Sequence, residues 1–378
     1  MKLIDNKEII NKISNEKEKK REERFLRRLW RECFSDPLAY EDFYFTHVYR
    51  NNTVYTIGEK GMLHLNPYFC MVQGREMVLH YIVGVATRES ERRKGIMRKL
   101  LERALLDMYI SGEPFTYLMP ADTRYYQNFD FVSISREQKV VLPENKADDR
   151  EMPVTDNQRG TTEKLIRFVK YRELLTLFGQ EKQQRLFQWL AQMLSERYNI
   201  FAKHDKDYFD LLLKEKQCQG GDIIFCFEKE IEIEKAKGFF AYGMEEEKLF
   251  IEQYLFQDGW VESGLSRYYQ EAEVMIHKFP YMVRIVDAEV FLTLFTKPFY
   301  EFAKAKKRLL LTDPILTQNN GIYVFSIEDN QISVKKQKIE RVPCKMAWDV
   351  KMTVKELADF IFFKQKEKVS KVFFAEVV

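Results

Sequence analysis

Apolar positions recur at helical spacing early in the chain, where Phe25, Leu26, Leu29 and Trp30 follow the mixed-charge run 16–24. They predict one buried helix face, with opposite charges able to pair at i,i+4 on the other. From Thr53 to Thr87 the pattern turns to strands, with Asn66-Pro67 and Gln73-Gly74 as punctuation. Leu79 to Ala86 is a nearly continuous apolar run, which predicts a strand covered on both faces. Ile96, Leu100, Ala104 and Met108 stand four apart, flanked by Met97, Leu101 and Leu105, and predict an amphipathic helix. Ser111-Gly112 and Pro114 end it, and Phe115 to Pro120 reads as the next strand. Residues 79–120 are therefore expected to form a βαβ unit.

Val140 to Pro153 is charged, carries two prolines and reads as a linker. Residues 160–215 look helical and 223–256 look like strands around a turn, so a second α/β domain is expected. A third segment opens near Met282-Val283-Arg284-Ile285-Val286-Asp287, with strands at 321–327 and 331–337. Thr353-x-x-Glu356 is a capping-box signature for a helix from Leu357 to Phe363, and Val372 to Val378 is strand-like. The expected boundaries are 1–145, 146–281 and 282–378. No repeat of solenoid period is visible.

Composition narrows the class. At 378 residues the chain exceeds one ordinary core, and 45% hydrophobic with 31% charged residues is normal for a folded domain protein. A net charge of +3 gives no argument for nucleic acid, and the interleaved glutamates make run 16–24 a solvated helix face. The five cysteines are odd in number and scattered without a C-x-x-C, the pattern of reduced thiols. Residues 1–8 are charged where a signal peptide is apolar, and no stretch is long enough for a membrane span, so a cytoplasmic protein without a membrane partner is expected. The five histidines show no ligand spacing, and no metal is expected.

One loop carries chemistry. Arg92-Arg93-Lys94-Gly95-Ile96-Met97 lies between a strand and a helix, with Arg98 one residue on. A helix N-terminus offers unpaired backbone N–H groups and the positive end of the dipole. Gly95 allows close backbone approach, and the basic residues add charge at the same point. Together these fit a pyrophosphate, whereas an ordinary turn with a solvated basic patch would show the same residue types.

Arg92-x-x-Gly95 resembles the signature [RQ]-x-x-G-x-[GA] of the GNAT acetyltransferases, with Met97 in place of the small residue. Val85-Ala86-Thr87, Arg92 to Arg98, and Tyr126-Gln127-Asn128-Phe129-Asp130-Phe131 together resemble the Eis-type (enhanced intracellular survival) subfamily, in which a large apolar residue often replaces the small one. That resemblance implies an α/β (α+β) fold: two tandem GNAT-type domains, the second degenerate, and a sterol-carrier-like C-terminal domain. It further implies acetyl-CoA as co-substrate and a homo-oligomer, trimer or hexamer.

The resemblance also implies the roles. Val85, Ala86 and Thr87 would hold the pantetheine arm, Arg93 to Arg98 the pyrophosphate, and Ala121-Asp122 another edge of the cofactor. Tyr126 would be the general acid. A phenol of pKa about 10 is matched to a thiolate of about 8.5. The base would be the C-terminal carboxylate, here of Val378, which must be desolvated or act through water because a free α-carboxyl titrates near 3.5. Glu376 and Asp122 are acidic candidates for a cationic substrate. The expected reaction is acetyl transfer to a primary amine, small molecule or peptide, with aminoglycoside-like polycations and lysine side chains as first acceptors. The competing reading is a non-catalytic coenzyme A- or lipid-binding regulatory protein.

Overall fold

The computed structural model describes residues 16–135, 138–142, 166–245, 248–257, 274–337, 348–364 and 372–373. The chain begins with α1 (Glu16–Cys33), α2 (Leu38–Phe43), β1 (Thr53–Thr56), β2 (Gly61–Val72), β3 (Arg75–Thr87), α3 (Ile96–Ile110), β4 (Phe115–Leu118), α4 (Arg124–Gln127) and β5 (Val132–Ser133). It continues with β6 (Gln138–Leu142), β7 (Ile166–Lys170), α5 (Tyr171–Leu177), α6 (Gln180–Arg197), β8 (Ile200–Ala202), α7 (Lys206–Cys218), β9 (Asp222–Glu228), β10 (Ala236–Glu245), β11 (Lys248–Phe256) and β12 (Val274–Lys278). Last come β13 (Met282–Ile285), α8 (Ala288–Leu294), α9 (Tyr300–Lys304), β14 (Arg308–Thr312), β15 (Gly321–Glu328), β16 (Gln331–Gln337), β17 (Val350–Thr353), α10 (Val354–Asp359) and β18 (Val372–Phe373).

These elements gather into two compact units. The first draws on residues within 1–136, 197–203 and 280–378, the second on those within 137–196 and 204–279. The class is mixed α/β, as the alternation of periods predicts. The first unit holds an eight-stranded sheet of order β18-β8-β2-β3-β4-β13-β5, with β1 also on β2, and a four-stranded sheet β16-β15-β14-β17. A six-stranded sheet, β6-β12-β11-β10-β9-β7, belongs to the second.

Several local expectations are met. α1 buries Phe25, Leu26, Leu29 and Trp30, and α3 buries Ile96, Leu100, Leu101, Ala104, Leu105 and Met108. Thr353 and Glu356 form the capping box at the start of α10.

Others are corrected. Asn66-Pro67 does not interrupt β2, because Pro67 falls where no donor is required: β1 pairs with β2 only up to Leu65 and β8 joins only at Cys70. Val140 to Leu142, read as linker, is strand β6 paired with β12, while the rest of that stretch lies outside the described residues. Residues 160–215 contain the short strands β7 and β8 as well as helices. The opening of the expected third segment is β13, which lies between β4 and β5 in the eight-stranded sheet. Segments 1–145 and 282–378 thus contribute to one unit, and 146–281 supplies most of the other.

Candidate functional site

β3 and β4 pair in parallel over only Tyr81↔Tyr117 and Ile82↔Leu118. β4 stops at Leu118 while β3 runs on to Thr87, so the edge of β3 beyond Ile82 has no ladder partner on the β4 side among the described residues. The register between β2 and β3 slips at Leu63, which faces both Gly84 and Val85. Gly84 takes φ +60 in this bulge, and a Cβ there would meet Trp30 at 3.0 Å. Ala86 and Thr87 stay paired with Met62 and Gly61 of β2, and Thr87 O also accepts from Cys33 Sγ at 3.7 Å, so it is the side of β3 turned away from β2 that the parted strands leave without a ladder partner among the described residues. Val85, Ala86 and Thr87, the expected pantetheine contacts, lie on this stretch.

The loop from Arg88 to Gly95 follows directly and leads into α3. Gly95 is its N-cap at φ +79, and Arg93 is also left-handed at φ +64. A left-handed non-glycine residue costs energy and gathers at binding loops. No side chain caps α3, whose first intrahelical bond runs from Lys99 N to Gly95 O at 3.1 Å. The N–H groups of Ile96, Met97 and Arg98 are therefore without intrahelical acceptors.

The loop cations differ in their engagement. Arg92 Nε donates to Thr87 O at 3.4 Å, Lys94 pairs with Glu91 at 3.3 Å and Arg98 with Glu102 at 3.1 Å. Arg93 is exposed and has no protein partner among the described residues. Met97, where the signature has a small residue, is half-buried.

β4 leads through Ala121 and Asp122 to α4, which carries Tyr126. Asp122 accepts from the Arg124 backbone N–H at 2.8 Å and pairs with its guanidinium, which holds the Asp122 carboxyl below the usual range. That pairing occupies Asp122 and leaves it a poor anchor for a cationic substrate. Tyr126 is 8% exposed, its ring edge-on to Phe131 at 5.7 Å between centroids. Its hydroxyl makes no hydrogen bond among the described residues, and burial pushes the phenol above its ordinary pKa. The Arg98 guanidinium lies 4.9 Å over the Phe129 ring, bringing the first turn of α3 beside the turn that follows Tyr126. Val378 and Glu376 lie outside the described residues.

Two features escape the sequence reading. His64 and Asn66 on β2 are buried with Tyr44: the Tyr44 hydroxyl lies 2.8 Å from His64 Nδ1 and donates to Asn66 Oδ1 at 3.3 Å. Burial lowers the His64 pKa to about 3, so this ring is neutral. The second feature is the fully buried Arg284 on β13, which donates to the Phe129 carbonyl. His80 on β3 is partly exposed, and its Nδ1 lies 2.6 Å from an oxygen of buried Glu113.

Residues 16–133 match the model of an acetyltransferase (GNAT) domain. No curated protein matches the chain. Among solved structures it is similar to a conserved protein from Enterococcus faecalis described as a probable N-acyltransferase, with 13% identity over 94% of this chain and 89% of that one and a TM-score of 0.65. It is also similar to a GCN5-related N-acetyltransferase from Anabaena variabilis, with 14% identity over 94% and 90% of the two chains and a TM-score of 0.63. Eis1 from Mycobacterium abscessus shares 10% identity over 92% and 88%, with a TM-score of 0.54. At such identities the likeness is one of fold, and it extends over more than nine-tenths of this chain.

Proposed function

We propose that this chain, which carries a GNAT acetyltransferase domain over residues 16–133 and is thereby an acyltransferase, moves acetyl from acetyl-CoA to a primary amine. The parting of β3 from β4 immediately before the loop that opens α3 carries this reading. The open β3 edge fits an amide-bearing arm, and the α3 N-terminus with Arg93 fits a pyrophosphate. Acetyl-CoA supplies an activated acyl group, and the remaining tasks fall to the chain.

Backbone groups near Val85 orient the thioester carbonyl and stabilise its developing oxyanion. Tyr126 gives its proton to the departing thiolate. Burial raises the phenol, which alone would carry it away from balance with a thiolate. The same desolvation raises the thiolate, so the match is kept inside the site. The base is assigned to the Val378 carboxylate on the resemblance. Supporting this, β18 is parallel to β8 and both run antiparallel to β2, the direction in which β3 runs toward its open edge. The resemblance also assigns the six-stranded unit to a degenerate GNAT-like domain and the four-stranded sheet to a sterol-carrier-like one.

The test is coenzyme A thiol release from acetyl-CoA against a panel of amines, polycations first, with calorimetry of acetyl-CoA binding. Amine-dependent release is expected. Absence of acetyl-CoA binding would sink the reading, and binding without transfer to any amine would favour a coenzyme A-binding regulator.

A further inference from the structure

Arg284 has no exposed surface and is among the largest fully buried side chains. Its position on β13 puts it in the same sheet as β4, opposite Thr116. Every arm of its guanidinium is used. Nε donates to Phe129 O at 2.8 Å, Nη1 to Ile285 O at 2.5 Å, and Nη2 to the two Asp313 carboxylate oxygens at 2.9 and 3.0 Å. Asp313 in turn accepts from the Ile315 and Leu316 backbone N–H groups at 2.9 Å each and from Asn319 Nδ2 at 2.9 Å. Asn319 completes the chain by donating to Val286 O at 2.8 Å and accepting from Ala288 N at 3.0 Å.

A buried ion pair of this kind is poorly explained by stability, because apolar residues of similar volume would serve as well. Beyond its own strand, where Nη1 holds the neighbouring Ile285 carbonyl, what it does specifically is fix one distant carbonyl, that of Phe129. Phe129 belongs to the turn that closes on Tyr126: Phe129 N donates to Tyr126 O at 2.9 Å, Phe131 N reaches the same oxygen at 3.4 Å, and Asp130 between them is left-handed at φ +60. Arg98 grips the other side of this turn through the Phe129 ring.

We propose that Arg284 and Asp313 are positioning residues for acyl transfer. They hold the Phe129 carbonyl, the anchor of the turn from Tyr126 to Phe131, so that the Tyr126 hydroxyl stays aimed at the leaving sulfur. This rests on the reading of Tyr126 as proton donor. The segment after residue 280 thereby takes part in catalysis without touching substrate, by setting the geometry of a residue from the first 135.

The experiment uses the full chain with Asp313→Asn and, because that change leaves a buried guanidinium unpaired, also Arg284→Met/Asp313→Asn, which removes both charges together. Each is measured with Tyr126 and with Tyr126→Phe, and a fluorotyrosine placed at position 126 reports the ring's surroundings by fluorine NMR. With Tyr126 present, kcat is expected to fall roughly 100-fold, the scale of a small misplacement of a catalytic group, while KM for acetyl-CoA stays within about twofold. With Tyr126→Phe, the same changes are expected to cost little further; in the protein carrying fluorotyrosine at position 126, they are expected to shift and broaden its resonance. Equal kcat losses on both backgrounds, or a rise in KM at unchanged kcat, would overturn the proposal. If the unaltered protein transfers no acyl group, the functional reading fails on its own, and an unmoved fluorine resonance in a folded variant would still refute the brace.

Discussion

His64 is a neutral ring held among Trp30, Tyr44, Phe45 and Tyr49, with no partner at Nε2 among the described residues. Its folded-state pKa of about 3 lies below the ordinary 6.5, so the unfolded chain takes the proton first. The contribution is whole above about pH 6.5 and is lost as the pH falls toward 3, by up to about 1.4 kcal/mol per pH unit. Urea midpoints measured between pH 6.5 and 5 should show this slope in the native chain and lose it in His64→Gln. For the proton donor proposed at Tyr126 the effect belongs to the rate. Tyr126→Phe should lower kcat by roughly 10²-fold or more with little change in KM for acetyl-CoA, as expected for loss of a general acid. Arg93 should behave oppositely. With no partner to lose among the described residues, Arg93→Ala should leave the thermal midpoint unchanged and raise KM for acetyl-CoA about tenfold, the scale of one charge-assisted hydrogen bond.

Among elements, the loop-to-helix junction is the most exacting. Nothing lies within 4 Å of a Cβ built on Gly95, so Gly95→Ala meets no clash and carries only the backbone penalty of φ +79, about 1–2 kcal/mol. Loss of stability together with weaker acetyl-CoA binding, read by thermal unfolding and calorimetry, is the expected outcome. This junction is legible in the sequence because helix periodicity, a glycine and a basic cluster are all local signals. The parting of β3 from β4 is less so: Gly84 inside an apolar run hints at a bulge, but where two strands separate depends on residues 34 apart, from Leu118 back to Gly84. Arg284 carries half a signal. A charge inside the run Met282–Ile285 requires a buried partner, yet nothing local identifies Asp313, 29 residues on, or the Phe129 carbonyl, 155 residues back. The apolar run itself announces a central strand without saying whose neighbour it will be.

At the scale of the whole molecule, the eight-stranded sheet is assembled from four separate stretches of chain: β1 to β5, β8, β13 and β18. β13 contributes Met282, Val283 and Ile285, none more than 1% exposed, and β8 enters from residues 200–202. A fragment of residues 1–145 lacks both, which leaves β4 and β5 without the strand between them and β2 without an outer neighbour at Cys70 to Val72. Such a fragment is expected to aggregate or to unfold without a cooperative transition in denaturant, although it contains the entire span matched by the GNAT domain model. A soluble, cooperatively folding fragment would contradict this dependence.

The insertion of β13 also sets a clock. Ile285 pairs with Phe115, so 170 residues of chain separate the partners. At a synthesis rate of about 5–20 residues per second, the edge of β4 waits roughly 10–30 s on the ribosome before the strand that covers it exists. During that wait Phe115, Thr116, Tyr117 and Leu118, all buried in the finished fold, are an open β-edge beside the nascent acetyltransferase domain. Fast translation and a chaperone that binds extended apolar segments should therefore raise the yield of active protein, and pauses coded between residues 118 and 282 should lower it.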